Sequence, residues 1–291
     1  MLALILGGGF LGEKIARIFS SEGFAVRVAS IDEKADIKAD ITKPEELDDL
    51  FASYKPKIVF LTAALSNVDY CEQHSNEAFE VNVNGTRNVV ELCKKFNAKL
   101  IFFSTDYVFD GLHGNYAEED RPNPINVYGR TKLEAEKIIF DYLDSAIVLR
   151  ISTLYGYNSK DDKMHFLKWL LAALTKGQIV KVVTDQITCP TLIDDVATAC
   201  LKLIEKQQQG LFHCTGSKAI SRYEFAMLAA EKFGLDTNLI KKAKMQDMDW
   251  VAKRPKNSSL NINKISSLGI KMRSPEDGLS FLASKLKASD F

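Results

Sequence analysis

Short apolar runs alternate with amphipathic stretches along the first half of the chain, and this order constrains the fold strongly. The runs are apolar throughout, as expected of strands buried on both faces. The order predicts an α/β fold with a doubly wound, Rossmann-type parallel sheet and helices on both faces. The predicted strands are LALIL, AVRVAS, KIVFLTA, KLIFFST and AIVLRIS, and the predicted helices are EKIARIFSSEG, PEELDDLFASY, NEAFEVNVNGTRNVVELCKKF and YGRTKLEAEKIIFDYL.

A glycine-rich turn joins the first predicted strand to the first predicted helix. Gly7, Gly9 and Gly12 form the pattern GxGxxG at this point. Glycines permit a tight turn and let a pyrophosphate approach the backbone amides around Phe10 and Leu11. The motif therefore predicts a dinucleotide site, although a tight turn also favours glycine for purely structural reasons.

The residues after the second and fourth strands bear on the choice of dinucleotide. An acid at the end of the second strand would bind the free ribose hydroxyls of NADH. Ser30 stands there and Asp32 follows two residues later, which slightly favours NADPH over NADH. Asp40 could accept from the adenine amino group or be only a loop acid before a helix. Ala63 and Ala64 are small enough for a ribose to lie close to the backbone.

Three polar groups suited to carbonyl reduction follow in order along the chain. Ser104 and Thr105 end the fifth predicted strand, and Tyr128 precedes Lys132 by four residues, so both side chains leave one helix face. Hydride delivered to a carbonyl carbon leaves an alkoxide that needs a proton and hydrogen bonds. We predict that Tyr128 donates the proton and Thr105 polarises the carbonyl. Lys132 is predicted to hold the nicotinamide ribose and, with the positive nicotinamide, to lower the pKa of the tyrosine. The structural alternative is a packed tyrosine beside a solvated lysine.

From about residue 157 the alternation loosens. A helix is predicted near 162–176, and Ser221 is predicted to cap a later helix. We expect an NAD(P)-binding Rossmann domain at 1–156, with returning segments at about 190–215, and a mainly substrate-binding lobe at 157–291. The boundary is therefore discontinuous. The other predicted elements are the strands IVKVVTD and GLFHCTG and the helices IDDVATACLKLIEK and SRYEFAMLAAEKFG.

Composition argues against several classes of function. The 38 basic and 38 acidic residues leave a formal net charge of zero, which disfavours binding to nucleic acid or to a membrane. The five cysteines lack CxxC spacing, which favours reduced thiols in a cytosolic protein. The four histidines lack ligand spacing, so no catalytic metal is expected. The apolar N-terminus lacks a basic start and runs into a helical pattern, which indicates a strand rather than a signal peptide. We expect a cytoplasmic protein.

These motifs resemble the extended short-chain dehydrogenase/reductase family and, within it, the dTDP-4-dehydrorhamnose reductases. The resemblance covers most of the chain. It implies NAD(P)H-dependent reduction of the C4 ketone of a nucleotide-linked 6-deoxysugar, dTDP-4-dehydro-L-rhamnose to dTDP-L-rhamnose, by a homodimer. It rests on AALSNVDYCE, VNVNGTRNVV, STDYVFDG, YAEEDRPNPINVYGRTKLEAE, DQITCPTLIDDVA and RPKNSSL, in the family's order.

The resemblance also assigns residues. It gives Thr105, Tyr128 and Lys132 the catalytic roles stated above. By position in the family's motifs, it places a further set of residues beside the substrate or cofactor: Asp106, Val108, Phe109, Thr153, Asp185, Gln186, Pro190 and Arg254.

The chain departs from this family at three places. The family's cofactor loop usually has the longer spacing GxxGxxG. A tryptophan is usual where this chain has Thr153, and a glycine is usual where it has Thr188. We expect cofactor binding to survive these changes, whereas the identity of the sugar stays open.

Two other functions remain open at this stage. RISTLYG also resembles the regulatory subunit of methionine adenosyltransferase, an NADP-binding protein of the same fold that binds a partner enzyme. A nucleotide-sugar epimerase would use the same three catalytic groups but would recycle the cofactor within one turnover.

Overall fold

A seven-stranded parallel sheet forms the centre of the fold. The computed structural model describes residues 1–32, 35–158 and 165–291. The strands are β1 Leu2–Leu6, β2 Ala25–Ser30, β3 Ile37–Lys38, β4 Ile58–Leu61, β5 Lys99–Thr105, β6 Ile147–Ile151, β7 Leu154–Tyr155, β8 Val180–Val183, β9 Ile187–Thr188, β10 Thr191–Leu192, β11 Gly210–His213, β12 Ile220–Ser221 and β13 Ile240–Ala243. The helices are α1 Phe10–Ser21, α2 Pro44–Tyr54, α3 Val68–Gln73, α4 Ser75–Phe79, α5 Gly85–Phe96, α6 Val127–Tyr142, α7 Phe166–Thr175, α8 Ile193–Glu205, α9 Arg222–Lys232, α10 Asn263–Ser267 and α11 Pro275–Ala283.

The sheet has the order β11-β6-β5-β4-β1-β2-β3, and every neighbouring pair is parallel. The five strands predicted in the first half are confirmed, as is the doubly wound parallel architecture. The chain order reverses between β1 and β4. A crevice opens at this switch point, beyond the carboxyl ends of the strands, where doubly wound sheets bind their ligands.

Each face of the sheet is covered by its own apolar layer. On one face α1 and α8 pack against the sheet through residues such as Ile15 and Val196, and on the other α2, α5 and α6 do so through residues such as Phe51 and Ile139. The strands are apolar on both sides because both faces are covered.

The second half of the chain returns one strand to the sheet and builds a separate apolar cluster. Strand β11, predicted within GLFHCTG, pairs with β6. Strand β8, by contrast, pairs with β13 outside the main sheet. Helices α7, α9 and α11 share a third core around Phe225. The start of the helix predicted near 162–176 lies outside the described residues, and α7 begins at Phe166. The domain boundaries stay a prediction.

The helix predicted across NEAFEVNVNGTRNVVELCKKF is confirmed as helical, but it is not α-helical throughout. Helix α4 passes into a π-helical turn at Glu80–Asn84 before α5 begins. The side chain of Asn82 in this turn accepts from the Leu65 N–H at 2.9 Å and donates to the Leu65 carbonyl at 3.0 Å. It also donates to the Thr131 hydroxyl at 3.0 Å. One residue therefore joins the loop after β4 to helix α6.

The five cysteines are unpaired thiols and all are buried. Burial raises the pKa of Cys71 and of Cys189 to about 11. Within the described part of the chain, no helix combines the length and apolarity that crossing a membrane requires.

Candidate active site

The glycine turn after β1 is packed too closely to carry side chains. Gly7 has φ of +114°, and a Cβ there would lie 2.5 Å from the Ala63 nitrogen. A Cβ on Gly12 would lie 2.0 Å from the Gly7 carbonyl oxygen. The turn therefore presents bare backbone, and α1 begins directly after Gly9 without a side-chain cap. The unpaired amides of the first helical turn are suited to a pyrophosphate.

This turn forms one wall of a cavity of about 430 Å³ at the switch point of the sheet. The other walls come from the ends of β4 and β5, from α6 and from the C-terminal lobe. Of the residues predicted for the cofactor or for catalysis, the lining set is Gly9, Phe10, Leu11, Gly12, Ala64, Ser104, Thr105, Tyr128 and Lys132.

Strand β5 and helix α6 bring the three predicted catalytic side chains to this cavity. Thr105 is the last residue of β5, and Tyr128 and Lys132 lie one turn apart near the start of α6. The Asn126 side chain caps α6 by accepting from the Gly129 N–H at 2.8 Å. A Cβ on Gly129 would lie 2.1 Å from the Tyr107 carbonyl oxygen, so α6 packs directly against the turn after β5.

Burial dominates the electrostatics of this group. Tyr128 keeps part of its surface open to the cavity, yet burial raises its pKa well above the ordinary value, and the Thr105 hydroxyl only partly opposes this. Burial also lowers the pKa of Lys132 to about 7, against the attraction of Glu136. In the protein alone, removal from water dominates the pKa of both residues. That Lys132 and a bound nicotinamide together lower the pKa of Tyr128 stays a prediction.

Asp106 lies beside Thr105 and is held by three hydroxyl groups. Its carboxylate accepts from Ser258 at 2.5 Å, from Ser152 at 2.9 Å and from Thr105 at 3.2 Å. Burial nevertheless raises its pKa to about 6. The network joins β5, the segment after β6 and the C-terminal tail at the cavity wall.

A second polar network approaches from the C-terminal lobe. The Gln186 amide donates to the Tyr107 hydroxyl at 2.9 Å and accepts from Arg222 Nε at 2.8 Å. Tyr107 and Arg222 line the cavity, and the Tyr107 ring packs edge-on against that of Tyr128, with centroids 6.2 Å apart.

Ser30, Asp32, Asp40 and Ala63, predicted for the cofactor, are not among the residues that line this cavity. Ser30 ends β2, as expected, and its Oγ accepts from the Asp32 N–H at 3.2 Å. Asp40 Oδ1 accepts from both the N–H and the hydroxyl of Thr42, in the manner of a loop acid. The Ala63 backbone packs against Gly7.

Six of the eight predicted substrate residues do not line this cavity: Val108, Phe109, Asp185, Gln186, Pro190 and Arg254. Val108 and Phe109 are fully buried in a small apolar cluster. Asp185 accepts from the Met245 N–H, and the Pro190 carbonyl packs against Gly216. Their roles near the substrate stay predictions that the geometry does not support.

Arg254 lies at a second cavity, next to Trp250. Its guanidinium pairs with Asp69 at 2.9 Å and donates to the Ala252 carbonyl at 3.0 Å. Asp69 also accepts from the Val251 and Ala252 amides, so Arg254 is tied to a loop.

Thr153 lines the main cavity with φ of +34°, a strained conformation for a β-branched residue. Its hydroxyl lies 3.2 Å from that of Thr188. The two positions that differ from the tryptophan and glycine usual in the resembling reductases are thus in direct contact.

Sequence reasoning missed Arg222 and His165 among the lining residues. Arg222 follows the predicted cap Ser221, which does form a reciprocal cap with Glu224. It reaches the cavity because β12 pairs with β9, and the sequence carries no local sign of that pairing. His165 stacks on Phe10 with centroids 4.4 Å apart, and burial lowers its pKa to about 4.

Known proteins share this architecture over nearly the full chain. The solved dTDP-4-dehydrorhamnose reductase from Bacillus anthracis, in complex with NADP, superposes with a TM-score of 0.91 at 27% identity and covers 98% of this chain and 99% of its own. The dTDP-4-dehydrorhamnose reductase of Aggregatibacter actinomycetemcomitans is 32% identical, covering 90% of this chain and 91% of its own.

Two further kinds of relative bear on function. The probable low-salt glycan biosynthesis reductase Agl14 of Haloferax volcanii is 33% identical, with 97% of each chain covered. The methionine adenosyltransferase 2 subunit beta of Bos taurus is 34% identical, covering 76% of this chain and 68% of its own. The model of the RmlD substrate binding domain matches residues 1–287. The chain therefore belongs to the RmlD family, within the extended short-chain dehydrogenase/reductase fold.

Proposed function

We propose that the protein is an NAD(P)H-dependent reductase of the C4 ketone of a nucleotide-linked 6-deoxysugar, converting dTDP-4-dehydro-L-rhamnose to dTDP-L-rhamnose. The observation that carries this proposal is the convergence of Thr105, Tyr128 and Lys132 on the cavity that also receives the bare glycine turn. The family and the dTDP-4-dehydrorhamnose reductase that is similar over 90% of this chain support the same reaction.

The residues present fit a reduced nicotinamide dinucleotide. The glycine turn leaves no room for side chains, and the start of α1 faces the cavity. Ser104 lines the cavity, and its buried Oγ has no hydrogen-bond partner among the described residues. A bound dinucleotide would supply the hydride. We propose NADPH rather than NADH because a serine, not an acid, ends β2.

The side chains divide the rest of the reaction between them. As the carbonyl carbon gains hydride, its oxygen takes the Tyr128 phenol proton, and the resulting phenolate recovers a proton from solvent. The raised pKa keeps the phenol protonated at neutral pH, as a proton donor requires. Thr105 hydrogen-bonds the developing oxyanion, and Lys132, when charged, stabilises the phenolate and holds the nicotinamide ribose.

The first experiment measures loss of reduced-nicotinamide absorbance with dTDP-4-dehydro-L-rhamnose and NADPH, or separately NADH. We expect turnover, and we expect Tyr128→Phe to lower kcat by about 10²- to 10⁴-fold because the ring is kept and only the proton donor is lost. Equimolar release of oxidised cofactor and alcohol product would also exclude an epimerase, which recycles its cofactor. Full turnover in Tyr128→Phe would refute the assignment of the proton donor.

A regulatory subunit of methionine adenosyltransferase is the second candidate, favoured by the 34% identity to subunit beta of that enzyme. It predicts tight NADPH binding without ketone reduction. Co-purification with a methionine adenosyltransferase, together with no turnover, would select this function over the reductase.

We also propose a cytoplasmic homodimer, from the resemblance described above. Light scattering of the purified protein at several concentrations tests the dimer, and a monomer at all of them would remove that part of the proposal.

A further inference from the structure

Arg222 has no role in the mechanism above, although it lines the same cavity. It is the first residue of α9 and follows β12, whose pairing with β9 sets it against the cavity beside Thr153. Arg222 therefore places a positive charge in the part of the cavity wall that comes from the second half of the chain.

The guanidinium is held in place on two sides. Its Nε donates to Gln186 Oε1 at 2.8 Å, and its central carbon lies 4.9 Å from the centroid of the Phe166 ring. Gln186 is itself fixed by the Tyr107 hydroxyl at 2.9 Å, and the Tyr107 ring packs against Tyr128. One amide side chain therefore sets the distance between this cation and the tyrosine pair at the reaction centre.

The donors of the guanidinium are only partly used. Across residues 1–32, 35–158 and 165–291, no carboxylate forms an ion pair with Arg222, and its one side-chain hydrogen bond goes to Gln186. The two terminal nitrogens keep the paired donors that match oxygens of a phosphate. The lining carboxylate, Asp106, is already satisfied by three hydroxyl groups.

The position of Arg222 points to the substrate rather than the cofactor. The cofactor pyrophosphate is expected at the amides that begin α1, whereas Arg222 is linked through Gln186 and Tyr107 to Tyr128. Arg254, the arginine that the sequence suggested for the substrate, is occupied by Asp69 and the Ala252 carbonyl at the second cavity. Arg222 thus combines available donors with a place in the main cavity, near Tyr128.

We propose that Arg222 binds the diphosphate of the nucleotide-sugar substrate and so sets the sugar in register with Tyr128. This inference rests on the proposed function for the identity of the substrate. In a nucleotide sugar, the diphosphate is attached across the pyranose ring from the ketone at C4. Arg222 is linked through Gln186 and Tyr107 to Tyr128. By holding the diphosphate, it can therefore set the distance between the sugar C4 and Tyr128.

The test is calorimetric titration of the NADPH-loaded protein with thymidine, dTMP and dTDP. We expect dTDP to bind the wild-type protein about tenfold or more tightly than thymidine, since charge-assisted hydrogen bonds to the phosphates are gained. Arg222→Gln should abolish most of this gain while leaving thymidine affinity unchanged, and Arg222→Lys should retain part of it. Arg121→Gln, which removes an exposed arginine that lines neither cavity, should retain it in full.

Two results would overturn the inference. One is that Arg222→Gln still binds dTDP more tightly than thymidine by the full wild-type factor. The other is that the wild-type protein binds none of dTDP, UDP, GDP and ADP more tightly than the corresponding nucleoside. A parallel turnover assay with dTDP-4-dehydro-L-rhamnose separates this inference from the proposed function. If there is no turnover but the higher affinity for the nucleoside diphosphate depends on Arg222, the proposed reaction is refuted and the diphosphate site at Arg222 is retained.

Discussion

At the scale of single residues, burial sets the protonation of the groups nearest the reaction. Tyr128 is kept protonated, whereas Lys132 has a pKa of about 7 and is 2% exposed. The Lys132 ammonium lies 3.9 Å from the centroid of the Phe102 ring, a contact that compensates only part of the lost hydration. A charged lysine at this position therefore costs folding stability.

This cost gives a prediction for Lys132→Met. The variant should lose turnover yet melt higher than the wild-type protein, by roughly 2 °C or more. The pKa of Lys132 is lowered on folding, so the unfolded chain binds more protons between about pH 7 and the ordinary lysine value. The cost is fully present below this window and fades as the pH rises through it.

Differential scanning calorimetry at about pH 6 and about pH 9 checks the sign, because the stabilising effect of Lys132→Met should be larger at the lower pH. Lys137→Met, an exposed change on the same helix, is the matched control. A lower melting temperature for Lys132→Met at both pH values would show that the lysine stabilises the fold.

At the scale of elements, a buried ion pair fastens α6 to β6 and β11. Arg150 donates to both carboxylate oxygens of Glu136, at 3.0 and 2.7 Å, and its Nη1 lies 3.4 Å from His213 Nε2. The other ring nitrogen of His213 lies 3.1 Å from the Asn261 carbonyl oxygen. Because a carbonyl can only accept, Nδ1 carries the proton and Nε2 accepts from Arg150. The histidine is therefore neutral.

The neutral His213 predicts a loss of stability in acid. Burial and the Arg150 charge lower its pKa to about 3, so the unfolded chain binds more protons from about pH 6.5 down to that value. The free energy of unfolding should therefore fall as the pH falls through this range. Part of this dependence should vanish in His213→Gln, whose amide can donate and accept but does not titrate.

Urea unfolding at a series of pH values measures this dependence. His165, which titrates in the same direction, is present in both proteins and so cancels in the comparison. Identical pH dependence in the wild-type protein and in His213→Gln would contradict the neutral, buried assignment.

At the scale of the whole molecule, the C-terminal tail is bound to the strand end and helices around the cavity. Ser258 reaches Asp106 at the end of β5, and the Lys253 carbonyl accepts from the Asn126 side chain at 2.9 Å at the start of α6. Asp69, just inside α3, binds two amides of the tail and Arg254. A segment more than a hundred residues away in sequence from α6 thus binds beside the end of β5 and the start of α6, both of which line the cavity.

Asp69→Asn should loosen this segment selectively. The variant loses the ion pair to Arg254 and can no longer accept with both oxygens. Hydrogen exchange at the Val251 and Ala252 amides should therefore accelerate, while amides of β1 and β4 keep their protection. Asp48→Asn, which breaks an exposed pair with Lys95, serves as the control. Faster exchange throughout the sheet would mean that Asp69 supports global rather than local stability.

The sequence predicts the local parts of this molecule well and the non-local parts poorly. The strands, the glycine turn and the spacing of Tyr128 and Lys132 depend on a few consecutive residues, so pattern and propensity suffice. The sequence does not predict Arg222 as a cavity residue, because a strand pairing between distant segments brings it there. The sequence does not predict the π-helical turn at Asn82, because the hydrogen-bond partners of Asn82, Leu65 and Thr131, lie outside this helix. The sequence does not predict the lowered pKa of Lys132, because the burial of a side chain cannot be estimated from its neighbours in sequence.

The contact between Thr153 and Thr188 constrains the order in which the two positions could have changed. Thr188 is 1% exposed and its hydroxyl lies 3.2 Å from that of Thr153, so a tryptophan at 153 would meet an occupied position. Thr188→Gly first opens that space, and Thr153→Trp can then follow. The reverse order passes through an overpacked intermediate, which typically costs about 1–3 kcal/mol. Because the two side chains are in contact, we expect their effects on the free energy of unfolding to be non-additive.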